Sequence, residues 1–122
     1  MKVAKDGFNV FGCRRNNRAA APAETHPTML DIAWAAGIYE GEGHCRPTGA
    51  NTVRLSVSQK DLWLLYRLRQ LFGGTVYLRK SCGKSNVNQW YLSGTRARGF
   101  LLTIFSFLSP RRREQARSTL CA

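Results

Sequence analysis

The chain is poor in acidic residues and has no long apolar run. Only 7 of its 122 residues are Asp or Glu, against 19 Lys and Arg, so the formal net charge is +12. The longest weakly charged apolar run, Gly99 to Pro110, is far shorter than the ~20 residues of a membrane-spanning helix. No apolar stretch typical of a secretory signal occurs near the N-terminus. We therefore expect a soluble, intracellular and strongly basic protein.

Cysteine and histidine are also sparse, and their spacing excludes the common zinc motifs. No C-x-x-C pair occurs, and the histidines do not fall at zinc-ligand spacing from any cysteine. We expect free thiols in a reducing compartment. The four cysteines are Cys13, Cys45, Cys82 and Cys121, and the two histidines are His26 and His44.

Length, composition and charge together indicate one basic domain with a polyanionic partner. A chain of 122 residues suits a single core, and 43% hydrophobic residues are enough to build it. A charge of +12 on so small a domain favours nucleic acid as the partner. The alternative is a charge that serves solubility or packing within a larger ribonucleoprotein.

The first 28 residues differ from the rest because they are basic and show no sustained periodicity. We interpret residues 1–28 as a flexible N-terminal arm, either lying along a phosphate backbone or forming a leader without fixed structure. The periodic pattern begins near Leu30, so the domain is predicted to cover residues 29–122.

Hydrophobic periodicity in the remainder predicts the order α-ββ-α-ββ-α-α, an α+β fold. Asp31 can cap the first helix, Gly73-Gly74 ends the second and Pro110 starts the last. The predicted elements are a helix capped by Asp31, a strand pair ending with Thr52–Gln59, a helix over Asp61–Phe72, strands over Thr75–Lys80 and Gln89–Ser93, a helix over Thr95–Phe107 and a last helix from Pro110.

The predicted strands alternate, so one sheet face is apolar and covered by helices while the other is polar. Long hydrogen-bonding side chains and arginines on a four-stranded antiparallel sheet suit a DNA major groove. The alternative is an ordinary solvated face. The polar candidates are Arg46, Thr52, Arg54, Ser56, Tyr77, Arg79, Gln89 and Tyr91.

Two features of the first helix stand out. Ala33, Gly37 and Gly41 recur every four residues, and such a stripe lets a second backbone approach closely, although a frayed helix end is the alternative. Glu40 and Glu42 lie at its C-terminal end, where the helix dipole is already negative. Carboxylate and helix-end carbonyl oxygens suit Mg²⁺, whereas the alternative is an acidic turn neutralised by arginines.

The segment Ala35 to Gly43, Ala-Ala-Gly-Ile-Tyr-Glu-Gly-Glu-Gly, resembles the LAGLIDADG motif of homing endonucleases. It matches loosely at the first and fifth positions and well at both glycines and both acids. The surroundings are similar too: Trp34 precedes the motif, a strand pair follows it, and the run Phe107 to Arg113 comes last. The resemblance extends from about Leu30 to Leu120 and is to the branch with a single motif.

The resemblance implies an αββαββα fold whose curved antiparallel four-stranded sheet forms a DNA-binding saddle. It implies Mg²⁺-dependent double-strand cleavage, with Mn²⁺ able to substitute, at a long near-palindromic site. The enzyme would be a homodimer joined along Ala33, Gly37 and Gly41, as in intron- or intein-encoded nucleases. Glu42 and the carbonyl of Gly41 would bind metal, while Glu40 supports structure.

For catalysis, the resemblance makes Gln59 the residue that orders water and Arg111 the stabilising charge, with Arg112 and Arg113 as alternatives to Arg111. DNA contacts would come from the outward strand residues, from Lys80 and from Arg112 and Arg113. His44 is a DNA contact or an ordinary strand residue.

Two further functions stay open at this stage. One is a non-cleaving relative, an RNA-splicing maturase or a DNA-binding regulator with the same fold. The other is a structural RNA-binding protein whose acidic turn is coincidental.

Overall fold

The computed structural model describes residues 20–49, 52–78 and 87–121. The order of helices and strands in this part is the predicted one, and none of its helices is long and apolar enough to cross a membrane. The elements are α1 Met29–Glu42, β1 Gly43–Gly49, β2 Thr52–Gln59, α2 Leu62–Phe72, β3 Thr75–Tyr77, β4 Asn88–Ser93, α3 Gly94–Ile104 with a 3₁₀ turn Phe105–Phe107, and α4 Pro110–Leu120.

The four strands form one antiparallel sheet in the order β1-β2-β4-β3. Alternate residues of β2 and β4 are buried against the helices, as the two-residue period predicts. Trp90 lies at the centre of this core, edge-on to Phe100 at 5.4 Å, and its indole Nε1 donates to the Gly73 carbonyl at 2.8 Å. The α+β fold class is confirmed, and the opposite sheet face carries no helix among the described residues.

Helix α1 begins one turn earlier than Asp31, so the predicted cap was wrong. Thr28 is the N-cap: its hydroxyl accepts from the Asp31 N–H at 3.1 Å, and the Asp31 carboxylate accepts from the Thr28 N–H at 2.9 Å. This reciprocal capping box leaves Asp31 in the third helical position. Arg67 of α2 pairs with the same carboxylate at 3.4 Å and ties the helix start to its neighbour.

The segment 20–28 packs on the domain, although the sequence placed it in the arm. Ala21 and Gly74 exchange two backbone hydrogen bonds, 3.0 and 2.8 Å long, and the Glu24 N–H donates to the Gln70 carbonyl at 2.8 Å. Gly73 permits this approach, since a Cβ there would lie 2.7 Å from the Ala21 carbonyl oxygen. Residues 20–28, the described part of the expected arm, thus contact the domain at Ala21 and Glu24, and residues 1–19 lie outside the described residues.

Several further element bounds differ from the predicted ones, and α2 begins at Leu62 with Asp61 as its N-cap. Strand β3 ends at Tyr77 rather than Lys80, and Arg79 and Lys80 lie outside the described residues. Strand β4 begins one residue early, at Asn88. Helix α3 starts at Gly94 and tightens into the 3₁₀ turn after Ile104, a common way for a helix to end.

Replacing Asp31 by Asn tests the capping box. The Thr28 backbone N–H, assisted by its hydroxyl and by Arg67, holds the pKa of the Asp31 carboxyl below its ordinary value. The carboxylate therefore stabilises the fold at neutral pH, and this stabilisation is lost as the pH falls through the lowered pKa. Asp31→Asn should lower the urea midpoint at pH ~7, and the difference from wild type should shrink towards pH ~3. A difference independent of pH would contradict this account.

Candidate nucleic-acid interface and metal site

The sheet face away from the helices, called here the outer face, is built by alternation on four strands. One row crosses the whole sheet: His44 pairs with Ser56, Ser56 with Tyr91, and Tyr91 with Thr75. Every member of this row carries a hydrogen-bonding side chain, and none is buried. The outer face is therefore a continuous polar surface.

The neighbouring row places two arginines side by side. Arg46 lies directly opposite Arg54 on adjacent strands, an arrangement of like charges that destabilises a sheet. The Arg54 guanidinium lies over the Tyr91 ring, 4.1 Å from its centroid, which restrains its direction. An anion bound between the two guanidinium groups would relieve their repulsion.

The third row completes the face. Tyr77 pairs with Gln89, and the Gln89 side-chain amide donates to the Ser58 hydroxyl at 3.4 Å. At the turn end of the first hairpin, the hydroxyls of Thr48 and Thr52 lie 3.0 Å apart. Ser58, Thr75 and Ser93 also lie on the outer face by their pairing, although they were not among the predicted DNA contacts. The two-residue period was the signal for these three, whereas Thr48 lies at a register shift that no period indicates.

Helix α1 ends at one end of this sheet. Glu42 is its last residue and is exposed. The next residue, Gly43, pairs with Val57, and Gln59 lies two residues beyond Val57, so Glu42 and Gln59 occupy the same end of the sheet. The Gln59 Oε1 accepts from the Lys60 N–H at 3.0 Å, which holds the amide against the turn into α2.

Gly43, where the chain changes from helix to strand, has to be a glycine because there is no room for a side chain, and not because its backbone is strained. Its φ of −85° is open to any residue, but a Cβ there would overlap the ring of Tyr39. Tyr39 is buried, and its burial, with a hydrogen bond to Cys45, raises the pKa of its hydroxyl. The last glycine of the motif is thus required by the packing of one chain.

Glu40 joins the end of α1 to the start of α4. Its Oε1 accepts from the Ser109 backbone N–H at 2.9 Å, and its Oε2 from the Ser109 hydroxyl at 2.8 Å. These bonds, the backbone one above all, keep the pKa of the Glu40 carboxyl below its ordinary value, and the charges of Arg112 and Arg111 lower it further. Ser109 is the N-cap of α4, so the contact fixes two helix ends at once.

The three arginines at the start of α4 differ in their surroundings. Arg112 donates from Nε to the Glu40 carbonyl at 3.1 Å and from Nη1 to the Gly43 carbonyl at 2.9 Å. Arg113 donates from Nε to the Leu108 carbonyl at 3.1 Å. Both guanidinium groups thus hold backbone of their own chain, and the phosphate contact expected of them stays a prediction. Arg111 is exposed.

The oxygen atoms at the end of α1 fit a hard divalent cation, although one chain supplies few of them. Glu42 forms no ion pair with another described residue, and the helix end leaves the Gly41 carbonyl without an intrahelical donor. Oxygen ligands of this kind suit Mg²⁺. Within the described ranges, no group of three or more His, Cys, Asp or Glu could hold a metal ion.

The predicted interface stripe of α1 is uncovered. Gly37 and Gly41 are exposed, and a Cβ on either would meet no atom within 4 Å. Ala33 is half-buried on the same side, and Leu30, one turn earlier, is 82% exposed. The stripe is therefore open at its two glycines and partly covered at Ala33.

Between Asp31 and Glu40, the remaining surface of α1 is apolar as well. Ala35, Ala36 and Tyr39 are buried against the core, while Trp34 packs edge-on against Trp63, with ring centroids 6.2 Å apart. Trp63 itself is 64% exposed. A helix that is apolar on all sides is normally buried on all sides, so the open face of α1 is unusual for a helix in water.

No protein-family model and no curated protein matches the chain, but solved structures do. The homing endonuclease I-CvuI, solved on the I-CreI DNA target with magnesium present and the DNA not cleaved, superposes with a TM-score of 0.63, at 22% identity over 75% of this chain and 64% of that one. The group I intron-encoded I-CeuI, complexed with DNA, gives 0.61 at 15% identity over 80% of this chain and 56% of that one.

The archaeal intron-encoded I-Vdi141I, also complexed with DNA, gives a TM-score of 0.54 at 14% identity over 70% of this chain and 62% of that one. The chain has the fold of the LAGLIDADG homing endonucleases. It spans less than two thirds of the length of each of these three relatives. The homing-endonuclease fold was predicted from residues 35–43 and their surroundings, and these nine residues are the last eight of α1 and the first of β1.

Replacing Arg46 by Gln should have opposite effects on stability and on DNA binding. Removing one of two facing guanidinium groups should raise the free energy of unfolding by about 0.2–1 kcal/mol. Duplex DNA should bind more weakly, and the slope of the logarithm of the binding constant against the logarithm of the salt concentration should become smaller by about one unit. Urea unfolding and fluorescence anisotropy at several salt concentrations measure the two effects.

The control for this substitution is Arg69→Gln, which removes the same charge from α2 in the helical layer, where Arg69 lies over the Tyr66 ring. It should leave the salt slope unchanged. Equal losses of DNA affinity in both variants would show that only net charge matters.

Proposed function

We propose that this chain is a site-specific DNA endonuclease that acts as a homodimer and hydrolyses both strands of a long, near-palindromic site with Mg²⁺. The observation that carries the proposal is the position of Glu42. This exposed carboxylate ends α1, whose open stripe leads to it, and it lies at one end of a sheet with a basic outer face.

The outer face supports duplex DNA as the partner. A major groove admits a sheet, and its base edges and phosphates match the amide, hydroxyl and guanidinium groups found there. The facing pair Arg46 and Arg54 favours an anion between them, and the net charge of +12 favours a polyanion. His44 begins the row that crosses all four strands, which supports its role as a DNA contact.

The open face of α1 supports a second copy of the chain as the other partner. Small residues let two such helices approach closely, and twofold packing would bring a second Glu42 to the first. An isologous interface presents the same surface twice, so each subunit would bind one half of the near-palindromic site.

The two copies of Glu42 and of the Gly41 carbonyl would hold Mg²⁺, and Mn²⁺ could replace it. When bound, the ions would stabilise negative charge on the attacking and leaving oxygens of the phosphodiester. Since one chain supplies a single carboxylate at this position, dimerisation and metal binding would be coupled.

The protein's own side chains would orient and stabilise the reacting groups. Gln59 uses its carbonyl oxygen in the turn after β2, which leaves the amide Nε2 to donate to a water near the phosphorus. That water adds to phosphorus, one P–O bond of the backbone breaks, and the leaving oxygen gains a proton. Exposed Arg111 would stabilise the charge of the phosphate, because arginine stays protonated and is a poor base.

The cellular setting follows from this activity. Cleavage of one long DNA site suits the mobility of an intron or intein, and we place it inside the cell, in the cytoplasm, the nucleoid or an organelle matrix. Arg79 and Lys80, outside the described residues, remain predicted DNA contacts.

Glu42→Gln tests the catalytic proposal. Duplexes that bind the wild-type protein without divalent ions are selected from a random-sequence pool and then incubated with Mg²⁺ or Mn²⁺. We expect both strands to be cut by wild type and neither by Glu42→Gln, with binding largely intact, because only the metal ligand is lost. Gel analysis measures cleavage and fluorescence anisotropy measures binding.

The control for Glu42 is Glu114→Gln, which neutralises an exposed carboxylate paired with Arg117 on α4 and should leave cleavage unchanged. A wild-type protein that binds its duplex tightly and never nicks it would instead be a DNA-binding regulator. Preference for RNA over the selected duplex would indicate a maturase or a structural RNA-binding protein.

Gly37→Leu tests the assembly. A leucine on the open stripe has room within one chain but would hold two α1 helices apart, so the mass by light scattering should fall from dimer to monomer. The control is Gly99→Leu, since Gly99 is likewise an exposed helical glycine with nothing within 4 Å of a Cβ, and it should leave the dimer unchanged. A Gly37→Leu protein of unchanged mass would refute the interface.

A further inference from the structure

We infer that Arg112 is a positioning residue for the metal-binding end of α1: it holds the two carbonyls that flank Gly41 and Glu42, and thereby sets the affinity for divalent ions. This inference rests on the proposed function. It assigns Arg112 a task different from the phosphate contact or stabilising charge expected from the sequence.

The contacts enclose the proposed ligands from both sides. Arg112 Nε donates to the carbonyl of Glu40, immediately before Gly41, at 3.1 Å. Its Nη1 donates to the carbonyl of Gly43, immediately after Glu42, at 2.9 Å. One planar guanidinium thus spans the two-residue segment that supplies the carboxylate and the carbonyl.

The guanidinium is itself fixed by its neighbours. Nη1 also donates to the Gln115 Oε1 at 3.1 Å, and the group lies 5.6 Å from the centre of the Tyr39 ring. The Arg112 backbone N–H donates to the Ser109 hydroxyl at 3.3 Å, and that hydroxyl donates to Glu40. Arg112 is therefore held by α4 and by the end of α1, and has little freedom to turn towards DNA.

The end of α1 needs such a cation. Its last turn contains two carboxylates and no basic residue, so the negative end of the helix dipole is not neutralised within the helix. Helix ends also fray unless their last carbonyls find donors. Arg112 supplies both a positive charge and two donors, whereas a lysine ammonium is a compact point charge without the planar fork.

Groups that orient metal ligands change metal affinity without touching the metal, typically by 10- to 100-fold when mutated. Arg112→Lys keeps the charge and removes the two-point hold on the backbone. It should therefore weaken divalent-ion binding by about tenfold or more, while leaving the affinity for DNA in EDTA and the dimer mass unchanged.

The matched control is Arg98→Lys. Arg98 also donates to a backbone carbonyl at a helix end, that of Leu120, at 3.2 Å, but it lies on α3 and holds the far end of α4. Both variants lose an arginine-to-carbonyl contact and keep their charge, so both should show a similar loss of thermal stability. Only Arg112→Lys should change metal affinity.

The experiment uses the full-length dimer on its selected duplex. Calcium binding is followed by isothermal titration, Mn²⁺ binding by electron paramagnetic resonance, and the Mg²⁺ concentration for half-maximal cleavage by gel. We expect all three to shift by about tenfold or more in Arg112→Lys and to stay at wild-type values in Arg98→Lys. If Arg112→Lys does not fold, Arg112→Gln is measured in the same way, with the same shift expected.

Four outcomes would overturn the inference. If an Arg112 variant binds metal as tightly as wild type, and the wild-type protein cleaves its duplex, this inference is refuted and the proposed function is not. If Arg98→Lys loses as much affinity for divalent ions as Arg112→Lys, the effect is a general loss of stability. If Arg112→Lys binds DNA more weakly in EDTA, Arg112 contacts phosphate instead. A wild-type complex that binds no divalent ion refutes both this inference and the proposed function.

Discussion

The structure depends on the reciprocal connection between the C-terminal end of α1 and the N-terminal end of α4. Glu40 accepts two hydrogen bonds from Ser109, the N-cap of α4, and Arg112 donates two hydrogen bonds to the carbonyls around the end of α1. Each helix end neutralises the dipole of the other. Because the partners lie 69 to 72 residues apart, this connection also closes the chain, bringing its last helix beside the first strand.

Because of that connection, the two acids of the motif, Glu40 and Glu42, differ in their surroundings. Glu40 accepts two hydrogen bonds and has a lowered pKa, so its charge is satisfied within the chain. Glu42, two residues on, is exposed and forms no ion pair with a described residue. In the proposed homodimer, two such carboxylates meeting across a twofold axis would repel each other without cations, so the metal would contribute to assembly as well as to the chemistry.

Local patterns predicted much of this molecule. Alternation over Thr52–Gln59 gave the faces of β2, and Pro110 marked the start of α4, as proline does in a first helical turn. Thr28 was missed although its Thr-x-x-Asp spacing was visible, because Asp31 is itself a good capping residue. The packing of residues 20–28 and the contacts of Arg112 are set by distant partners, Gly74 and the end of α1, and no local period encodes these.

The three glycines of the motif differ in whether contacts within the chain explain them. Gly43 is needed within the chain, since any side chain would overlap Tyr39. Gly37 and Gly41 have ordinary helical backbones and open space around them, and each destabilises the helix by roughly 0.5–1 kcal/mol relative to alanine. No contact among the described residues offsets that loss. In the proposed homodimer, a neighbouring backbone packed against the stripe would offset that loss, which would give these two glycines a physical reason outside the single chain.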